Sequence, residues 1–348
     1  MLLRREVISP LDAVERLIGL QAQQARPPFV GLWTRLAGFE RESLLDQIRK
    51  RKMVRVTTMR ATLHLMSAKD YLQFRGSMQP ALSAAMRSVV QSRKAAVDIE
   101  AIVAAAERCF AERPQTFSEL RASLLQEFPD TDERAMGYLA RTRLPLVMVP
   151  DDGEFGFGTD SKFAAASWYL KAPLQSEGHV EDLMLRYLAA FGPATVADAQ
   201  SWSGLPKLKA VFDKMRPTLK TFRDERKREL FDVLKGPQPP EDTPAPVRFL
   251  PAFDNAILAH ADRTRIIADE HRARVATKNL QILPTFLADG FAAGTWELSL
   301  AKKTARLTIS PFKPLARGIK QDLTAEAELL VRFMAPDALR SEVLFNAV

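Results

Sequence analysis

The feature that most narrows the possible folds is an order of elements that returns along the chain. Within 180–235, "VEDLMLRYLAAFG" sets Val180, Leu183, Met184, Tyr187, Leu188 and Phe191 at helical spacing before Gly192-Pro193 stops it. Thr195 has the chemistry of an N-cap for "VADAQSWSG", a second short helix that Gly204 ends. "LPKLKAVFDKM" gathers Leu205, Leu208, Val211, Phe212 and Met215 on one helical face. Beyond Pro217, "TLKTFRDERKRELFDVL" reads as two short strands around a charged turn. Helix, helix, tight turn, helix, hairpin is the order of a winged helix-turn-helix.

Residues 98 to 158 repeat it. "DIEAIVAAAERCFAE" is a first helix, "TFSELRASLLQEF" a second capped by Thr116 or Ser118, and "TDERAMGYLARTRL" a third. "PLVMVPDDGEFGFG" is then expected to be a hairpin turned at Asp151-Asp152-Gly153. The N-terminal part fits a further copy: "PLDAVERLIGLQ" with Ser9 as cap and Pro10 in the first turn, a later helix "RESLLDQIRKRKM", and "VRVTTMRATLHLMS" as a strand. An order recurring at roughly 60 to 90 residues is stronger evidence than any one copy.

The Pro-dense stretch "KGPQPPEDTPAP" closes this region. The chain beyond it is richer in strand, with Asp289-Gly290 as a hairpin turn, and ends in the helical pattern "TAEAELLVRFMA". The expected class is mainly α with β, an α+β chain of three tandem winged helices plus a small C-terminal α+β domain. The expected bounds are 1–95, 96–175, 176–236 and 247–348.

Composition sets the outer limits. With 50 Lys and Arg against 42 Asp and Glu the chain is basic by 8 charges, which points weakly to an anionic partner such as nucleic acid or a membrane surface. A single cysteine, Cys109, rules out an intrachain disulfide and any multi-cysteine zinc site, and its helical setting reads as core rather than nucleophile. His179 and His271 stand alone without metal-ligand spacing, so no metal and no cofactor are expected. Neither a Gly-rich phosphate loop nor a Gly-x-Ser-x-Gly elbow is present. No signal-peptide pattern and no run near the ~20 apolar residues of a membrane helix is found, so an intracellular, cytoplasmic chain is expected. Trp33, Trp168, Trp202 and Trp296 read as core anchors.

One short stretch does not fit a plain core. In "LIGLQAQQARPPFVGLW", Gln21, Gln23 and Gln24 crowd the end of an apolar helix before Pro27-Pro28. On a helical wheel Gln21 falls with Val14, Leu17 and Ile18, and Gln23 points the other way. The two act together only if the helix ends near Gly19-Leu20 and an extended turn brings them to one side. On spacing alone the cluster also reads as amides satisfying loose backbone groups.

"GLQAQ" with "PPFVGLWTRL", then "RATLHLM", "GPATVADAQSWSGL", "FDNAILAHADRTR" and "DGFAAGTWEL", keep the order of signatures in one family. Over nearly its whole length the chain resembles the AlkZ-like winged-helix DNA glycosylases, bacterial proteins that excise alkylated bases, including bases in interstrand crosslinks. In one respect it departs from them. Related chains usually have a longer first helix, whereas this one opens at Met1-Leu2-Leu3-Arg4-Arg5, so either its start is misplaced or its first helix is shortened, and the packing beneath the active segment turns on which.

The resemblance implies that Gln21 and Gln23 are catalytic, positioning water and stabilising an oxocarbenium-like sugar. An amide cannot take a proton near neutral pH, so this chemistry suffices only for a leaving group already activated. A guanine alkylated at N7 or an adenine alkylated at N3 is cationic and departs neutral. The expected function is therefore a monofunctional DNA glycosylase acting on cationic alkylpurines, with crosslinked or bulky N7-alkylguanine foremost. The expected partner is double-stranded DNA, met by a monomer. A base tethered to the opposite strand cannot rotate into a pocket, so an open, basic cleft is anticipated.

The basic run Arg49, Lys50, Arg51, Lys52 and Arg55 is expected to meet phosphates, although it also reads as a solvated helix end. His64 is either DNA-facing or a structural histidine. His260, Arg263 and Arg265 are candidates for phosphate contact beside the plainer reading of a salt-bridged turn, and Asp254-Asn255 for fixing that turn. The rival function is a winged-helix DNA-binding protein or regulator without catalysis. "LPKLKAVFDKM" has no Arg, Asn or Gln to read base edges, which disfavours it.

Overall fold

The computed structural model describes residues 1–92, 98–175, 178–277 and 281–348. The chain forms two compact units, one from 9–25 and 41–236, the other from 1–8, 26–40 and 237–348. The expected boundary at 95/96 lies outside the described residues.

The first unit is built on an antiparallel five-stranded sheet: β1 (Leu20–Gln21), β2 (Met53–Thr57), β3 (Leu63–Ser67), β4 (Leu146–Met148) and β5 (Phe163–Ala165), in the order β1-β3-β2-β4-β5. Every residue of β2 and β3 is buried, so these strands read as continuous rather than alternating. "VRVTTMRATLHLMS" is thus a hairpin and not one strand. Its reversal has no glycine: Arg60 and Ala61 both adopt left-handed conformations, φ 54° and 56°.

The expected hairpin at 145–158 also needs correction. Its strands are β4 and β5, and the loop between them is folded by Asp151, which accepts from the amides of Gly153 and Gly158 and from Ser161 Oγ. A carboxylate tying three donors folds the loop in place of a tight turn at Asp151-Asp152-Gly153. Burial alone would push the Asp151 carboxyl up, but the Ser161 hydroxyl and the Gly158 and Gly153 amides outweigh it and hold it below the usual carboxylate range.

Helices Ile99–Glu112, Phe117–Glu127 and Glu133–Arg143 precede β4, and Thr116 caps the second through a reciprocal bond with Glu119. Helices Val180–Phe191, Val196–Ser203 and Lys209–Met215 precede the hairpin β6 (Leu219–Arg223) and β7 (Glu229–Val233). Tyr187, Trp202 and Phe212 from these helices share one core with Val54, Val56 and Met66 of the sheet. Trp168, expected in the core, is 61% exposed on the five-residue helix Ala166–Leu170, too short to bury more than one face.

The second unit holds β8 (Arg248–Leu250), β9 (Thr285–Ala288), β10 (Phe291–Ala301), β11 (Thr304–Pro311) and β12 (Arg340–Phe345), ordered β12-β11-β10-β9-β8. β12 runs parallel to β11, reached through helix Arg317–Met334. Segment 26–40 belongs here: Pro27 and Pro28 open a helix, Pro27–Trp33, whose residues are all buried. Trp33 and Phe39 flank Phe333. Arg35 grips Asp254 through two bonds of 2.8 and 2.7 Å, with both side chains at most 2% exposed. Asp254 also caps helix Asn255–Leu258, which is the turn-fixing role its sequence position anticipates.

Candidate active site

Helix Pro10–Arg16, capped by Ser9, ends four residues before the first strand. Ile18 (φ 54°) and Gly19 (φ 94°) then swing the chain out of helix. Gly19 is required twice over, since a Cβ there would lie 2.7 Å from Met66 Cγ. Gln21 is therefore on a strand and not on the helical stripe. It pairs with His64 across β1 and β3, and Ala22 N extends the ladder to Leu63 O at 2.7 Å.

Both glutamines reach toward the turn between β2 and β3. Gln21, 6% exposed, accepts a hydrogen bond on Oε1 from Arg60 Nη2 at 2.8 Å. The same guanidinium donates through Nη1 to the carbonyl of Trp202. Gln23 is exposed and accepts on Oε1 from the Leu63 amide at 2.8 Å. Engaging the two carbonyl oxygens fixes the orientation of each carboxamide, Gln21 in the interior and Gln23 on the cleft lining.

The backbone between them is held from below. Arg55 donates through Nε to Ala22 O at 2.8 Å and through Nη2 to Gln23 O at 3.1 Å, and lies 5.3 Å from the Phe157 ring centroid. Burial, then the neighbouring Arg141, lowers its pKa to about 10 against the opposing pull of Asp151. It remains a cation at neutral pH, with Nε and Nη2 on carbonyls and Nη1 3.3 Å from Met148 Sδ.

His64 is 1% exposed. Burial first and Arg60 second push its pKa down to about 3, so the ring is neutral. Nδ1 lies 3.0 Å from Thr62 O, which only a protonated Nδ1 can satisfy, so Nε2 carries the lone pair. A neutral, buried ring offers no charge to a phosphate.

The remaining basic candidates divide. Arg49, Lys50, Arg51 and Lys52 are exposed. Arg49 pairs with Glu42, Lys50 with Asp46 at 2.6 Å, and Arg51 bonds Tyr169 O at 2.9 Å. His260, Arg263 and Arg265 belong to the other unit. There Arg265 Nη1 lies 2.9 Å from His260 Nε2, and burial, then Arg272, lowers the pKa of Arg263.

Beside Gln23 opens a cleft of about 620 Å³, lined also by Arg55, Phe117, Arg141, Phe157 and Phe163. Among the described residues no group of three or more His, Cys, Asp or Glu side chains is placed to hold a metal ion. Among them too, no helix is long and apolar enough to cross a membrane.

The family model for AlkZ-like DNA glycosylases matches residues 14–333, which takes in this segment and both units. The chain belongs to the AlkZ-like DNA glycosylase family. The interstrand DNA cross-link repair glycosylase of Streptomyces sahachiroi is 26% identical over 347 residues, covering 93% of this chain and 90% of that protein. The solved structure of the Streptomyces sahachiroi DNA glycosylase AlkZ shares the fold, with a TM-score of 0.79 at 21% identity, over 99% of this chain and 95% of that one. As an AlkZ-like glycosylase the chain is a DNA-repair enzyme with DNA as its partner.

Two residues of this AlkZ-like site escaped sequence reasoning. Arg60 lies inside the "RATLHLM" signature, but nothing local marks it as the partner of Gln21. Arg141 ends an ordinary amphipathic helix, and only the fold brings it to the cleft.

Proposed function

We propose that the segment Gln21–Gln23 hydrolyses the N-glycosidic bond of cationic alkylated purines in double-stranded DNA, with N7-alkylguanine and its interstrand crosslinks as the preferred class. The observation that carries this reading is the pair of carboxamides locked by Arg60 and by the Leu63 amide. Carboxamides orient water and lay a dipole against developing positive charge, and they move no proton near neutral pH. In the reaction, water oxygen bonds to C1′ while the C1′–N9 bond breaks. The electron pair leaves with the base, which departs neutral, and the water proton passes to solvent.

A monomer would suffice, and the helix-and-hairpin modules at 1–95, 96–175 and 176–236 would meet the backbone. The exposed run Arg49 to Lys52 would take phosphates. Arg55 is assigned instead to holding the glutamine backbone.

The test uses two duplexes, one with N7-methylguanine and one with an N7-linked interstrand crosslink, followed by hot alkali. Strand breaks at the lesion with wild type, and none with Gln21→Ala/Gln23→Ala, are expected. Equal cleavage by the double variant would remove the glutamines from the mechanism. Failure to cut either duplex would remove the substrate class.

A further inference from the structure

Arg141 closes the last turn of helix Glu133–Arg143 and lines the cleft beside Gln23. Its guanidinium lies 4.6 Å from the Phe117 ring centroid and 5.9 Å from that of Phe163. The two rings meet edge to face at 4.7 Å, so they form a fixed wall behind the cation. Nε is buried and has no hydrogen-bond partner among the described residues. A buried donor left unbonded costs free energy that the fold recovers only if something else fills the site.

Among the described residues no carboxylate forms an ion pair with Arg141, while two guanidiniums, Arg121 and Arg55, stand near enough to act on it. Burial lowers its pKa more than Arg121 does. Two carboxylates stand on the cleft lining, Glu154 and Asp160; Glu154 is taken by Arg41 at 2.9 Å. Arg55 adds a second positive charge from the floor, with Nε and Nη2 bonded to the Ala22 and Gln23 carbonyls and Nη1 to Met148 Sδ. The cleft therefore offers a partly desolvated guanidinium, held by rings, with its fork uncommitted to any acid among the described residues. That fork matches the spacing of two phosphate oxygens, and partial removal from water strengthens the attraction.

We infer that Arg141 is a phosphate-binding residue that holds a DNA phosphodiester in the cleft beside Gln23. The assignment of that phosphate to the reacting strand rests on the reading of Gln21 and Gln23 as the reactive pair. The contact itself does not.

The experiment measures binding to a duplex carrying a tetrahydrofuran abasic analogue, which has no glycosidic bond to break. Wild type, Arg141→Gln and Arg141→Lys are titrated across salt, and a single neutral methylphosphonate is moved along each strand. Losing one phosphate contact is expected to make the slope of log affinity against log salt shallower by about 0.9 in Arg141→Gln, with Arg141→Lys keeping the wild-type slope. One methylphosphonate position is expected to weaken wild type by roughly tenfold and to leave Arg141→Gln unaffected.

An unchanged slope together with an unchanged methylphosphonate profile overturns the inference. If Arg141→Gln does not fold, Arg141→Met takes its place in both measurements, and a slope and methylphosphonate profile equal to wild type overturn the inference. Inorganic phosphate that competes equally with both forms also counts against it. Strand cleavage retained by Gln21→Ala/Gln23→Ala would sink the catalytic reading while leaving the slope result standing.

Discussion

Arg60 Nη2 donates to Gln21 Oε1 at 2.8 Å, from a backbone held in the left-handed region at φ 54°. The other arm of the same guanidinium reaches the Trp202 carbonyl, and Gly204 backs onto the Arg60 backbone, where a Cβ would stand 3.2 Å from its Cα. The Arg60 side chain and backbone are thus both held where it engages the Gln21 amide.

Removing that clamp should disturb chemistry more than binding. Arg60→Ala is expected to lower single-turnover cleavage by about 100-fold, the scale of a catalytic group displaced by about 1 Å. Affinity for an abasic-analogue duplex should change by only a few-fold. Equal losses in rate and affinity would make Arg60 a DNA contact instead.

His64 predicts a specific acid sensitivity. Its pKa in the fold, about 3, lies below the ordinary 6.5, so the unfolded chain binds a proton first as pH falls. The stability contributed is complete above 6.5 and is lost as pH drops toward 3, at no more than about 1.4 kcal/mol per pH unit. Urea midpoints taken from pH 7 to pH 4.5 should decline for wild type and decline less for His64→Gln. Parallel curves would mean that His64 is not the group responsible.

Gly19→Ala places a methyl 2.7 Å from Met66 Cγ at a backbone φ of 94°. Strain and overpacking together should destabilise by about 2–4 kcal/mol. Activity measured below the lowered Tm should fall as well, because the same turn aims β1. Full activity at full stability would show that the turn relaxes freely.

Asp254→Ala leaves the Arg35 guanidinium buried without its carboxylate. The expected loss is about 3–5 kcal/mol in urea unfolding, whereas the double change Arg35→Met/Asp254→Leu should cost distinctly less. If the double variant is as unstable as the single, the pair is not the source of the loss.

Legibility tracked the distance over which a signal acts. Ser9, Thr116, Thr195 and the Asp289-Gly290 turn were readable because a cap or tight turn is decided within four residues. The need for an extended segment at Gln21 was readable from Gly19 and the prolines. Lost from view were relations closed by the fold. Strand β12 finds its parallel partner across a whole helix, and Arg60 meets Trp202 at a separation of 142 residues. The turn at Arg60-Ala61 carries no glycine or asparagine, so nothing announced the break between β2 and β3. Trp168 misled because size alone does not say which face of a short helix turns outward.

The pairing of β2 with β4, Arg55 opposite Met148, joins the hairpin next to the glutamines to the strand that leads into the cleft loop. Hydrogen-bonded strands cannot slide by less than a full residue step, so this part of the enzyme works as a gauge with a preset span. A change of register between β2 and β4 would displace the glutamine turn and the cleft loop relative to each other by a whole residue, with no intermediate setting.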